Sequence, residues 1–205
     1  MFNVTPVINP AGEVIARYRK MYPFLPYEAG VASGDSFCVF DVPGIARFGI
    51  SICYDMWFPE TTRTLAWMGA EAIIHPTMTN TIDRDAELAI ARANAAQNQL
   101  YFIDINVAGR MGFGRSIAYG PGGELLHAAG TGHEAIALEL DFEHVRHVRE
   151  RGWNGIGQML KSFRDTPIDY PQYRSGARKS PSLESLGRLE RPPEFPTAFD
   201  AEDRP

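Results

Sequence analysis

Between Ile45 and Val107 the chain alternates two kinds of pattern. Apolar runs from Ile45 to Cys53, Ala72 to His75 and Tyr101 to Val107 are separated by stretches with helical spacing, Pro59 to Met68 and the segment beginning at Asp83. Strands joined through a helix run parallel, by right-handed crossovers. This β-α-β-α-β order predicts an α/β fold, and such sheets gather reactive groups beyond the carboxyl ends of their strands. Cys53, the Pro76-Thr77 loop and Asn106 fall at those ends.

Local signals fill in the rest. Pro59 suits a first helical position, Glu60 an early acid and Gly69 a stop. Asp83 is expected to cap the second helix, with Asp85 and Glu87 in its first turn and Leu88, Ala91, Ala95 and Asn98 on one face. Val4 to Ile8 and Glu13 to Tyr18 read as strands around a Pro-Ala-Gly turn, and Phe37 to Val42 pairs across Pro43-Gly44 with the run from Ile45. Residues 20–35, with Pro23, Pro26, Gly30 and Gly34, form a loop. Arg115 to Tyr119 and Glu124 to Ala128 form a late hairpin, Glu134 to Leu140 a further strand, and Asp141 caps a helix through Arg151. Seven prolines from Pro167 to Pro205 mark residues 153–205 as an extended, Pro-rich tail, set apart from a unit spanning residues 1–152.

A chain of 205 residues suits one sizeable core. Its net charge of −5 argues against a nucleic-acid partner, which calls for clustered Lys and Arg. No apolar run is long enough to span a membrane, and the amino terminus lacks the basic and apolar regions of a secretory signal. Two cysteines are too few for a disulfide framework and fit a reducing compartment, so the cytoplasm is the expected location. Without a secretory signal, the sequon Asn3-Val4-Thr5 reads as chance.

The chemistry centres on Cys53-Tyr54-Asp55-Met56-Trp57-Phe58-Pro59-Glu60. A thiol at a strand-to-helix turn faces the positive end of peptide dipoles, which favours the nucleophilic thiolate. Cys38 lies inside an alternating strand with no helix after it and reads as a small buried hydrophobe. His144 and His147 share a helix face, but no third ligand lies nearby, so no metal is expected.

Upstream stand Tyr18-Arg19-Lys20 at a strand end and Glu28 in the following loop. With Cys53, the Pro59-Glu60 helix start, Gly69-Ala70-Glu71, Arg92-Ala93 with Asn98, and the Arg115-Ser116 to Gly123 hairpin, the chain resembles the nitrilase superfamily of carbon–nitrogen hydrolases over about residues 1 to 150. Gln97-Asn98 departs from the Glu-Asn common in that family. The resemblance implies a four-layer α-β-β-α sandwich, here expected to lack its N-terminal third. That third would carry the family's general-base glutamate; Glu13 sits in the wrong context to replace it.

By the same resemblance, Cys53 is the nucleophile, Lys20 with the Tyr54 backbone N–H stabilises the oxyanion, and Glu28 supports the lysine and orients substrate. Asp55, Trp57, Phe58 and Thr77 are candidates for the substrate pocket. Tyr54-Asp55 after the cysteine resembles the amidase-like branches, which implies hydrolysis of a small linear amide or carbamoyl compound through a thioester, without a cofactor. Relatives pair into dimers or larger assemblies, so a homo-oligomer is expected, with the tail crossing between subunits. Three readings stay open: a thiol amidohydrolase, an inactive fragment acting through association with a partner chain because the general base is absent, or an acyltransferase that passes the thioester to an amine instead of water.

Overall fold

The computed structural model describes residues 1–25, 27–174 and 180–190. Strands β1 (Val4–Ile8) and β2 (Val14–Arg19) form an antiparallel hairpin of their own. Asn9 builds its turn, the side-chain Oδ1 accepting from the N–H groups of Ala11 and Glu13 at 3.0 and 2.9 Å.

Six further strands make one sheet in sequence order: β3 (Cys38–Val42), β4 (Ala46–Ile50), β5 (Ala72–Thr77), β6 (Tyr101–Asn106), β7 (Ile117–Tyr119) and β8 (Leu125–Ala128). β4, β5 and β6 are parallel, and β3, β7 and β8 extend them antiparallel on either side. The crossovers are α1 (Pro59–Trp67) and α2 (Asp83–Asn98).

The period of a strand decides what each face meets. Ile73 packs with Leu65, Ala91, Ala95 and Phe102 beneath the helices, whereas its neighbour Ile74 packs with Tyr18, Ile50 and Ile52 beneath the hairpin. Burial on both faces explains why β5 reads as a continuous apolar run. Gly49 admits α1 to the sheet: a Cβ there would stand 2.7 Å from Ile73 Cδ1 and 3.3 Å from the Leu65 and Ala70 side chains. Helices, main sheet and hairpin thus make three layers. The outward face of the hairpin is open among the described residues, with Val4 42%, Ile8 59% and Ile15 51% exposed.

Three expectations need correction. Asp83 lies inside the first turn of α2, not before it, and accepts from the Thr81 hydroxyl at 2.8 Å. Glu134 to Leu140 forms no strand. Its alternation records burial on one side, with Ile136 and Leu138 turned toward β6 and β7, and that pattern does not require a backbone ladder. The segment after α3 (Phe142–Arg151) is not simply extended: α4 (Met159–Asp165) and α5 (Pro181–Glu184) form within it. The part through Tyr173 folds back on its own chain, where Phe163 meets the edge of Trp67 at 6.0 Å and Leu160 N–H reaches Gln99 Oε1 at 3.2 Å. Residues 175–179 and 191–205 of the expected tail lie outside the described residues.

The helix-to-strand joint after α2 is held from that side as well. Gln99 takes a left-handed φ of 49°. Its side chain donates to Val148 O at 2.8 Å, and its carbonyl accepts from Arg149 Nε at 2.9 Å. Asp141 caps α3, as expected, by accepting from His144 N–H at 3.1 Å.

Candidate active site

Cys53 opens a short 3-10 helix, Cys53–Trp57, just beyond the end of β4. Its φ of 49° is left-handed, a conformation that costs a non-glycine residue roughly 1–3 kcal/mol and persists only where its surroundings enforce it. Asp55 does the enforcing. The carboxylate is fully buried; Oδ2 accepts from Tyr18 Oη at 2.7 Å and Ile52 N–H at 2.9 Å, and Oδ1 accepts from Tyr22 N–H at 2.9 Å. One side chain therefore ties the cysteine turn to the strand and loop on either side of Lys20. Burial raises the Asp55 pKa against the lowering effect of those three donors. The Tyr18 phenol is pushed far up, first by burial and then by the Asp55 charge, so it donates across the accessible pH range.

Lys20 ends the hairpin, its side chain 2% exposed. Its Nζ lies 2.5 Å from Glu28 Oε2. Two more donors converge on the same carboxylate, Phe24 N–H at 2.6 Å and Asn3 Nδ2 at 2.7 Å. Burial works to raise the Glu28 pKa, but the Lys20, Asn3 and Phe24 hydrogen bonds hold it below the usual carboxylate range.

Lys20, Glu28 and Cys53 line one cavity of about 470 Å³ together with Phe24, Tyr27, Pro76, Thr77, Met78 and Asn80. Thr77 is thus where the sequence suggested. Asn3 and Thr5 also line the cavity, and sequence reasoning passed over them as a chance sequon. The signal available was alternation: Thr5 and Val7 point inward from β1 while Val4 and Ile8 point out.

The other pocket candidates lie elsewhere. Asp55 is consumed in holding the turn. Trp57 packs against the helical core, and Phe58 stacks on Tyr22 with ring centroids 3.5 Å apart. The Tyr54 ring stands behind the cavity wall, 4.9 Å from Phe24. A 3-10 helix turns successive side chains through about a third of a circle, so neighbours of the cysteine in sequence are not its neighbours in space.

Beneath the turn, Ser51 Oγ and His75 Nδ1 are 2.7 Å apart and both residues are fully buried. Burial first, then the Arg84 and Lys20 charges, push the His75 pKa down to about 3, so the ring is neutral. Cys38 is buried in β3 and does not line the cavity. His144 lies 3.6 Å from Glu124 and against the edge of Trp153. Among the described residues no cluster of three or more His, Cys, Asp or Glu could hold a metal ion, and no helix is long and apolar enough to cross a membrane.

A lysine–glutamate pair and a strained cysteine at the end of a parallel strand is an arrangement with relatives. Residues 1–150 match the family model for carbon-nitrogen hydrolases. The chain belongs to the carbon-nitrogen hydrolase family. A formamidase of Bacillus cereus (strain B4264) is 35% identical over 108 residues, covering 53% of this chain and 32% of that protein. Nit3 of Saccharomyces cerevisiae, a member of branch 10 of the nitrilase superfamily, superposes with a TM-score of 0.66 at 32% identity, over 73% of this chain and 56% of that one. A glutamate-to-glutamine mutant of the amidase from Nesterenkonia sp. AN1, which shows covalent addition of the acetamide moiety of fluoroacetamide at the active site cysteine, superposes with a TM-score of 0.59 at 27% identity, over 63% of this chain and 51% of that one. The match thus spans about a third of the length of its curated relatives and about half of the solved ones. This member of the family shares their α/β fold.

Proposed function

We propose that the chain carries the nucleophile and oxyanion half of a thiol amidohydrolase acting on a small linear amide or carbamoyl compound. The observation behind this reading is the shared cavity, in which Cys53 faces the buried Lys20–Glu28 pair. The Cys53 thiolate attacks the amide carbonyl carbon. Lys20 Nζ and the Tyr54 N–H donate to the oxyanion, an interaction of a kind worth about 10²–10³ in rate per donor. The tetrahedral intermediate collapses as the amide nitrogen takes a proton from solvent and leaves as ammonia or an amine, and an acyl thioester remains. Water then releases the carboxylic acid. Glu28 keeps Lys20 aimed, and the wall containing Thr77 receives the acyl group. No step calls for a cofactor.

A second reading is favoured by one feature. Among the described residues Glu28 is the only carboxylate lining the cavity, and it already accepts three hydrogen bonds. A base for the attacking water would then come from a partner chain, which the apolar outer face of the hairpin is suited to meet.

One experiment addresses both. The purified chain is incubated with formamide or acetamide, quenched in acid and analysed by intact-mass and peptide spectrometry, with ammonia measured in parallel. An acyl adduct on Cys53, absent in Cys53→Ser, is the expected result. Ammonia stoichiometric with protein, without turnover, selects the partner-dependent reading; steady release selects the self-sufficient one. An adduct on Cys38, or none with either amide, would overturn the assignment.

A further inference from the structure

The cavity wall formed by residues 76–80 is held by an interior group of charges that the proposed chemistry does not use. Arg84 and Glu87 on α2 and Asp104 on β6 are 1%, 2% and 0% exposed. Arg84 Nη1 lies 3.0 Å from Glu87 Oε2 and 2.7 Å from Asp104 Oδ2. Burying ionised groups is unfavourable, and apolar residues of similar volume commonly hold an interior as well or better. The group therefore needs a reason beyond packing, and its outward hydrogen bonds supply one. Glu87 Oε1 accepts from Thr79 Oγ1 at 2.9 Å, and Arg84 Nη2 donates to Arg115 O at 2.7 Å, where the backbone is left-handed at φ 59°.

Thr79 is the centre of the wall. Its backbone N–H donates to Asn106 Oδ1 at 2.8 Å and its carbonyl accepts from Asn106 Nδ2 at 3.0 Å, which extends the β5–β6 pairing past the last rung at Thr77 and Asn106. Its hydroxyl also lies 3.3 Å from Thr77 Oγ1. Asn106 thus fixes the backbone of the loop, while Glu87 fixes its rotation about the strand axis. Met78 and Asn80, on either side of Thr79, are presented to the cavity as a result.

The geometry points to Glu87 as a positioning residue that sets, through Thr79, the shape of the cavity wall at residues 76–80 and hence which amides the Cys53 centre accepts. This rests on the proposed function, since it needs Cys53 to be the reacting atom. A small amide has few atoms to place beside Met78 and Asn80; one with a bulky substituent on nitrogen needs room that these two side chains help to bound. Loss of the Glu87–Thr79 bond therefore alters discrimination between the two more than reactivity itself.

The test uses 2-chloroacetamide and 2-chloro-N-phenylacetamide, each alkylating Cys53 as the sulfur displaces chloride, and requires no turnover. The ratio of the two labelling rates is measured by peptide mass spectrometry in the unsubstituted chain, Thr79→Val, Glu87→Leu, Glu87→Gln and Thr62→Val. Thr62 is a control: it is fully buried on α1 with an unpartnered hydroxyl, far from the wall in the chain's hydrogen bonding. Thr79→Val and Glu87→Leu should each change the ratio at least threefold, while Glu87→Gln, which keeps an acceptor for Thr79, and Thr62→Val stay within a factor of 1.5 of the parent, at roughly that tolerance for a geometric effect. An unchanged ratio in Thr79→Val, or an equal change in Thr62→Val, overturns the role of Glu87 while leaving the proposed function intact. Absence of labelling at Cys53 in the unsubstituted chain overturns both.

Discussion

Replacing Glu28 with leucine probes the pair on which the site depends. The substitution leaves the Lys20 ammonium, 2% exposed, without its counter-ion. Breaking a buried ion pair from one side costs about 3–5 kcal/mol. Glu28 is itself 17% exposed and borders the cavity, so water reaches the vacated place and the lower end, about 3 kcal/mol, applies. Phe24 N–H and Asn3 Nδ2 lose the same acceptor, which adds about 1 kcal/mol. For a chain of this length about 4 kcal/mol corresponds to a drop of roughly 8–16 °C in melting temperature. Lys20→Met should cost less, about 2 kcal/mol, because Glu28 keeps two donors and some solvent. The double substitution leaves two apolar groups in contact, and only the loss of the acceptor for Phe24 and Asn3 remains, so about 1 kcal/mol in total is expected instead of the additive 6 or so. Urea denaturation of the four proteins gives the cycle directly. The sign with pH is fixed by the lowered Glu28 pKa: its contribution is complete above the unfolded glutamate value and is lost as pH falls through the folded one. The gap between parent and Glu28→Leu should therefore close in acid, below roughly pH 4. A double variant within about 0.5 kcal/mol of the sum would refute the claim that the pair is coupled in solution.

Tyr18→Phe removes one donor from buried Asp55 and should destabilise the chain by about 1–3 kcal/mol while slowing alkylation of Cys53, since the same carboxylate holds the cysteine turn; a stability loss with an unchanged labelling rate would separate the two roles. Asp104 has its pKa pushed up to about 7, first by burial and further by Glu87, against the opposing pull of Arg84, and it faces the neutral His75 across the β5–β6 register. The folded state then holds a proton that the unfolded state has released, so stability should fall as pH rises from about 4 to 7 and level off above; in urea titrations Asp104→Asn should remove that slope. Gly49→Ala inserts a Cβ 2.7 Å from Ile73 Cδ1 and should cost about 1–3 kcal/mol by overpacking, measurable as a lowered urea midpoint at constant slope.

What the sequence disclosed and what it hid divide along a physical line. Apolar period and turn residues located most of the strands and the first three helices, because α1, α2 and β5 are amphipathic or buried for reasons carried in their own residues. Lys20, Glu28 and Cys53 were legible as motifs, and the folded chain brings them to one cavity. Side-chain direction was not legible. Asp55 and Phe58 adjoin Cys53 in sequence yet face Tyr18 and Tyr22, whereas Asn3 reaches Glu28 from 25 positions away through the hairpin. Glu134 to Leu140 misled because alternation reports one-sided burial and says nothing of ladder partners. The charges at Arg84, Glu87 and Asp104 carried no period that would reveal them as buried, since an interior charge is set by partners distant in sequence.

The energetics also weigh on whether the centre is used. A left-handed Cys53 costs roughly 1–3 kcal/mol, and the buried Lys20–Glu28 pair is no more stabilising than apolar residues of similar volume would be. A chain serving only as a surface for a partner would lose little by relaxing the turn to an ordinary conformation and replacing the pair with leucine and methionine. Instead Asp55 accepts three hydrogen bonds to keep the turn strained and Glu28 accepts three to keep the lysine aimed. Strain held in place by satisfied buried carboxylates is what preorganisation requires, because donors fixed before the substrate arrives need no rearrangement as negative charge develops. That balance favours chemistry at Cys53 in both readings of the function: a partner, where one is required, would complete the centre, and the nucleophile and its oxyanion donor would remain on this chain.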